Sequence, residues 1–132
     1  IGVNELGALS ESFPPGDSLL IQTNWSRYFG RPEFRDEMPR ISAELARWCV
    51  EKKVRMLGVE PPSVADVHDL AEVTEVHHIL LGGNVIIVEG LAHLDRVPVD
   101  RVHFWAIPLK IDQGDGSPCR AFCCLVDEDE SS

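Results

Sequence analysis

Apolar positions along the chain alternate between short continuous runs and a helical stripe. The turn cluster Phe13-Pro14-Pro15-Gly16-Asp17 leads into Ser18-Leu19-Leu20-Ile21-Gln22-Thr23, a run that predicts a buried strand. From Pro39 the period changes. Ile41, Leu45, Trp48 and Cys49 recur at i, i+4, i+7 and i+8 while Arg40, Glu44, Arg47 and Glu51 face the other way, so an amphipathic helix is expected. Lys52 and Lys53 suit the negative pole of its dipole. Val54 to Val59 then reads as a second short buried strand, broken by Glu60-Pro61-Pro62-Ser63. Val64 to Leu70 predicts a short helical turn. A second helix is expected from about Thr74, whose hydroxyl offers an N-cap, to the stop at Gly82 and Gly83. The β-branched run Val85-Ile86-Ile87-Val88-Glu89 predicts a central strand with a carboxylate at its carboxyl end. Val102 to Ile111 and Pro118 to Val126 pair as a hairpin across Gln113-Gly114-Asp115-Gly116-Ser117.

Helix alternating with strand places the chain in the α/β class, as a single domain over residues 1–126 with no internal repeat. Residues 127–132 form an acidic run with nothing to bury, expected to fray in solvent. The segment Asn24 to Met38 reads as a long loop, in which Gly30 and Pro32 interrupt any regular element. It concentrates Trp25, Tyr28, Phe29 and Phe34 beside Arg27, Arg31 and Arg35. Trp25 and Tyr28 either wall an aromatic pocket or pack the loop onto the sheet.

Charge narrows the partners. The chain has 132 residues, a formal charge of −10 and a pI of about 4.8, so it repels nucleic-acid phosphates and anionic membrane surfaces. A small molecule is the expected partner. Apolar runs are strand-sized, far short of the ~20 residues of a membrane span. The first residues, Ile1-Gly2-Val3-Asn4-Glu5, carry neither a basic nor an apolar leader region and lack an initiator Met, so the chain reads as trimmed and its compartment is not set by a signal; a cytoplasmic setting is favoured. Cys49, Cys119, Cys123 and Cys124 do not form a disulfide framework or a standard zinc spacing and are read as reduced thiols, with Cys49 packed as a small hydrophobe. Neither a G-x-S-x-G elbow nor a phosphate-binding glycine motif occurs.

The strongest chemical constellation is Val76-His77-His78-Ile79-Leu80-Leu81 followed by Ile87-Val88-Glu89-Gly90-Leu91. A helical imidazole and a strand-end carboxylate supply nitrogen and oxygen donors for Zn²⁺ or Mn²⁺ if the two elements are neighbours. Adjacent histidines point about 100° apart, so one would ligate and the other lean on solvent. On spacing alone, a surface His pair beside an ion-paired Glu is the commoner arrangement. His68, His93 and His103 sit in segments where the sequence identifies no convergent donor and read as packed or exposed histidines, and Asp66 and Asp69 flanking His68 read as a solvated acidic turn.

Taken in order, Gly16-Asp17-Ser18-Leu19-Leu20-Ile21-Gln22-Thr23, Leu57-Gly58-Val59-Glu60-Pro61-Pro62-Ser63-Val64, the His77 and Glu89 segments, and Ile107-Pro108-Leu109-Lys110-Ile111 through Gly114-Asp115-Gly116-Ser117-Pro118-Cys119-Arg120-Ala121 resemble the cyclase family, which includes bacterial kynurenine formamidase and isatin hydrolase. The resemblance implies a swivelling β/β/α fold and a hydrolase of amide or cyclic-amide bonds that activates water on zinc or manganese. It maps a metal-ligating His and Glu onto His77 and Glu89, with His78 as the fallback for a register one residue off. It makes Lys110 and Arg120 structural, pairing carboxylates around the hairpin. The family's other half-site, an H-x-G-T-H-x-D-x-P-x-H motif that also supplies the acid/base His, has no counterpart here, and all five histidines lie at or after His68. The chain thus corresponds to the carboxyl-terminal portion of a family member, incomplete at the amino terminus. It is expected to be inactive alone and to associate with further copies through unpaired strand edges. The competing reading is a non-catalytic module, truncated or pseudo-enzymatic, that serves as a scaffold for oligomerisation. Two smaller departures stand out: Thr23-Asn24-Trp25 where the family favours Thr-Gly-Trp, and Gly58-Val59-Glu60 where it favours Gly-Ile-Asp. Asn tolerates the positive φ such a turn needs, and the longer Glu60 shifts any hydrogen bond its carboxyl group makes.

Overall fold

The computed structural model describes residues 1–125, which form two compact units divided between Asp95 and Arg96. The acidic tail at 127–132 and the end of the return strand at Val126 lie outside the described residues.

The first unit opens with two single-turn helices, a 3₁₀ turn at Val3–Leu6 and α1 at Leu9–Ser12. Strand β1 (Leu19–Ile21) follows, then a 3₁₀ turn at Trp25–Tyr28 and α2 at Glu33–Asp36. Next come α3 (Ala43–Glu51), β2 (Met56–Val59), α4 (Leu70–Gly82) and β3 (Ile86–Val88), and the chain leaves the unit through a 3₁₀ turn at Leu94–Arg96. The strands form a parallel sheet in the order β1-β2-β3, with Ile21 opposite Val59 and Gly58 opposite Val88. Parallel neighbours need crossover connections, and α3 and α4 supply them while packing against each other.

The stripe on α3 behaves as its period requires. Leu45, Ala46, Trp48 and Cys49 are buried, and the Ser42 hydroxyl accepts a hydrogen bond from the Leu45 N–H at 3.1 Å to cap the helix. Leu57 from β2 and Val76 and Leu80 from α4 join the same core, with Phe13 edge-on to Trp48 at 5.4 Å. Two glycines permit close approach within it. A Cβ on Gly58 would fall 2.6 Å from Leu20 Cδ2, and one on Gly83 would fall 2.3 Å from Val50 Cγ2.

Four expectations are corrected here. Helix α4 starts at Leu70, because Asp69 accepts hydrogen bonds from the Ala71 and Glu72 N–H groups and caps it; Thr74 lies one turn inside. Val64 to Leu70 holds bends and a turn but no helix of its own. Strand β3 is an edge strand of the described sheet, with Ile86 53% exposed, so its β-branched run covers the core on one side only. Residues 24–38 contain two single-turn helices, pinned by hydrogen bonds such as the Trp25 indole N–H to the Phe34 carbonyl at 2.9 Å.

The second unit is the antiparallel hairpin of β4 (Val102–Pro108) and β5 (Cys119–Leu125), with Trp105 stacked on its cross-strand partner Phe122 at 5.4 Å. Among the described residues, Lys110 and Arg120 form no ion pair, so the carboxylate pairing expected of them is not seen. All four cysteines are free thiols.

Candidate metal centre

His77 faces the sheet from the second turn of α4, and its position follows from the helix itself. Four residues earlier, the Val73 carbonyl accepts a hydrogen bond from the His77 Nδ1–H at 2.8 Å. That bond fixes the ring and its tautomer, leaving the Nε2 lone pair free to face outward from the helix. Glu89 directly follows β3, where Gly90 at φ +72° turns the chain away. Hydrogen bonds from the Gly90 N–H to the Pro61 carbonyl (2.9 Å) and from the Leu91 N–H to the Val59 carbonyl (3.0 Å) hold this turn against the end of β2.

The two side chains converge. His77 Nε2 lies 3.6 Å from Glu89 Oε1, and both remain partly open to solvent at 27% and 32% exposure. At that separation they share a site without forming a direct hydrogen bond. Glu89 Oε1 also accepts the Val64 N–H at 3.0 Å. Burial raises the Glu89 carboxyl above its ordinary value, against the opposing pull of the Val64 N–H and of His77. The sequence offered no sign of the Val73 carbonyl or the Val64 N–H. Both are backbone groups whose role depends on where helix and turn lie in space.

His78 is exposed and, among the described residues, has no partner, so the register fallback is not needed to bring an imidazole to Glu89. His68 Nε2 pairs with Asp36 Oδ1 at 2.9 Å. His93 sits at φ +64° in a loop, and His103 on β4 contacts the Trp105 ring at 5.9 Å. The acidic turn is more organised than its composition implied: Asp66 pairs with Arg40, which also reaches Glu72 at 3.3 Å, and Asp69 caps α4. The His68 backbone N–H, with help from Arg40, holds the Asp66 carboxyl below its ordinary value. Burial pushes the Cys49 thiol up to about 12, which removes it as a nucleophile at neutral pH.

Trp25 and Tyr28 lie near the carboxyl end of β1, half-buried, with ring centroids 4.5 Å apart. The turn that carries Trp25 is held by Glu60. This side chain is completely buried and accepts hydrogen bonds from the Thr23 N–H (2.6 Å), the Thr23 hydroxyl (3.0 Å), the Trp25 N–H (3.2 Å) and the Ser26 hydroxyl (3.1 Å). Asn24 between them adopts φ +58°, the left-handed conformation anticipated where the family favours glycine.

As a metal site the His77–Glu89 pair is chemically apt, since one fixed imidazole and one carboxylate suit Zn²⁺ or Mn²⁺, but it supplies only two donors. Among the described residues no group of three His, Cys, Asp or Glu side chains is placed to hold an ion. The pair therefore fits as part of a coordination shell.

Comparison with known proteins gives the context for half a shell. A family model described as "Putative cyclase" matches residues 3–66. The kynurenine formamidase of Bacillus cereus (strain ATCC 10987 / NRS 248) is 37% identical over 105 residues, a stretch that covers 80% of this chain and 48% of that enzyme. The chain is similar to members of the cyclase family over these stretches. Its fold agrees with solved hydrolase structures: a potential metal-dependent hydrolase with cyclase activity superposes with a TM-score of 0.75 at 28% identity, covering 93% of this chain and 57% of that one. Isatin hydrolase A from Labrenzia aggregata, solved with benzyl benzoate, superposes with a TM-score of 0.77 at 26% identity, covering 96% and 54%. The chain thus spans about half the length of the relatives it matches.

Proposed function

We propose that the whole protein to which this chain contributes is a metal-dependent hydrolase of amide or cyclic-amide bonds, and that His77 and Glu89 are two of its metal ligands. The observation that carries this reading is the convergence of His77 Nε2 and Glu89 Oε1 at 3.6 Å, with Nδ1 tied to the Val73 carbonyl so that Nε2 is the donor left for an ion. The remaining ligands and the acid/base His belong to an upstream H-x-G-T-H-x-D segment, and this chain is then the carboxyl-terminal portion. When bound, Zn²⁺ or Mn²⁺ supplies Lewis acidity that polarises a carbonyl and makes water a usable nucleophile near neutral pH. Within this chain, the Val64 N–H orients one Glu89 oxygen and the Val73 carbonyl orients the imidazole, so both donors are pre-set.

The substrate class is a small aromatic amide or lactam such as N-formylkynurenine or isatin, with Trp25 and Tyr28 as its aromatic wall. An acidic chain at −10 argues against nucleic-acid partners. No helix among the described residues is long and apolar enough to cross a membrane. A cytoplasmic homo-oligomer fits these features, with strand edges covered by further copies.

A second reading has its own support, since no third ligand stands near His77 and Glu89 among the described residues. On that reading the chain is a non-catalytic scaffold. Hydrolysis of isatin and N-formylkynurenine separates the two. The whole protein turns over at least one of them in a metal-dependent manner and loses turnover on His77→Ala, whereas this chain alone with added zinc or manganese does not turn over. Full activity in the His77→Ala protein overturns the ligand assignment.

A further inference from the structure

Glu60 places a carboxyl group in the core with no exposure to solvent. Burying such a group is expensive, and an apolar residue of similar size would fill the space without the desolvation cost. Its hydrogen bonds show where the compensation lies. All four of its donors, at 2.6 to 3.2 Å, come from a single turn, Thr23 to Ser26, and two of them are backbone N–H groups. The carboxyl group therefore fixes the shape of that turn, which holds Asn24 at φ +58° and sets Trp25 on Tyr28 at 4.5 Å. The Trp25 indole N–H bonds the Phe34 carbonyl at 2.9 Å, so this residue is tied both at its backbone and at its ring. Arg27 caps the Tyr28 ring at 5.0 Å.

The location matters as much as the bonds. Ile21 pairs with Val59 and Gly58 with Val88, so the carboxyl ends of β1, β2 and β3 lie side by side. Thr23, Glu60 and Glu89 leave the sheet at that common end, where parallel sheets bind their ligands. We propose that Glu60 is a positioning residue: it locks the Thr23–Ser26 turn so that the Trp25–Tyr28 pair stands as a rigid wall for a planar aromatic amide. This rests on the hydrolase reading for the substrate class, and it adds the group that holds the wall in place.

The chain contains three tryptophans, so 5-fluorotryptophan labelling gives three ¹⁹F resonances, with Trp25 assigned through Trp25→Phe. Benzamide serves as the probe. It is expected to shift the Trp25 resonance in the parent chain and leave Trp48 and Trp105 in place. Glu60→Gln is the conservative variant, since its amide oxygen can accept the Thr23 and Trp25 N–H bonds while its NH₂ donates to Ser26 Oγ; benzamide affinity stays within threefold. Glu60→Leu removes every acceptor and weakens benzamide at least tenfold. Ser26→Ala and Thr23→Val each delete one donor without touching Glu60, so they decide the matter if Glu60→Leu fails to fold, and each is expected to weaken benzamide severalfold. The proposal is overturned if benzamide leaves Trp25 unmoved in the parent. It is overturned equally if Ser26→Ala and Thr23→Val bind it as the parent does, or if they move the Trp48 resonance as much as Trp25, which would make Glu60 a general anchor of the fold. A whole protein that takes up no zinc or manganese while benzamide still moves Trp25 in a Glu60-dependent way sinks the hydrolase reading and leaves the role of Glu60 standing.

Discussion

Replacing Gly83 by alanine tests how tightly α4 is set against its neighbour, and the sign of the effect is the informative part. Gly83 caps α4 at φ −88° and ψ 9°, a conformation alanine adopts without strain. Were the space open, alanine would therefore stabilise the chain by about 0.4–1 kcal/mol by restricting the unfolded state. The structure predicts the opposite. A Cβ at this position would lie 2.3 and 2.7 Å from the two γ-methyls of Val50 and 3.0 Å from its Cβ, and a β-branched side chain on α3 has little freedom to turn aside. Overpacking of this kind costs about 1–3 kcal/mol. The segment that must shift joins α4, which carries His77, to β3, which leads to Glu89, so metal uptake by the whole protein should weaken alongside stability. Val50→Ala removes two methyl-sized groups from a half-buried site and should cost about 1 kcal/mol alone. In the double variant both γ-methyl clashes disappear and only the 3.0 Å approach of the two Cβ atoms is left, so a coupling energy of about 1–2 kcal/mol in favour of the pair is expected. Urea denaturation of the four proteins measures the cycle. A stabilising Gly83→Ala, or double-variant energies additive within 0.5 kcal/mol, would refute the packing argument.

Other predictions concern single groups. The Cys49 thiol, raised to about 12, keeps its proton more tightly in the folded chain than in the unfolded one. Its contribution to stability is thus complete below about 9 and is lost as pH climbs toward 12, and Cys49→Ala should flatten that alkaline decline. With a thiol-reactive dye, the exposed Cys119 and Cys124 should label promptly and Cys49 only on unfolding; prompt labelling of Cys49 would contradict its burial. Asp66 has a lowered carboxyl, so the stability it gives is present above its ordinary range and fades as pH falls through the depressed value. Asp66→Asn should make the acid limb of the melting profile shallower, and an unchanged limb would count against the Arg40 and His68 contacts.

Features set by neighbouring residues in the chain were legible from sequence. The α3 stripe, the glycine stop of α4 and the hairpin all follow from periodicity and turn chemistry, although β4 ends at Pro108 rather than at Ile111. Features that depend on which elements meet were not. The Asp69 cap was masked because Leu70, the first residue of α4, is 78% exposed and breaks the apolar period. The β3 run looks like a central strand, since four β-branched residues in a row carry no mark of which sheet neighbour they lack. The acceptor that ties the Thr23–Ser26 turn together is Glu60, 35 residues away from Trp25 in the chain. For the candidate site, spacing alone pointed to an ordinary surface histidine. The ordered resemblance to the cyclase family singled out His77 and Glu89 as a pair, and the fold brings them together.

Metal content is the most direct test of that pairing. The whole protein, purified without chelator, should carry about one equivalent of zinc or manganese by elemental analysis, and His77→Ala or Glu89→Gln should lose most of it while remaining folded. Variants that keep the parent's full metal content would show that these two side chains belong to no coordination shell.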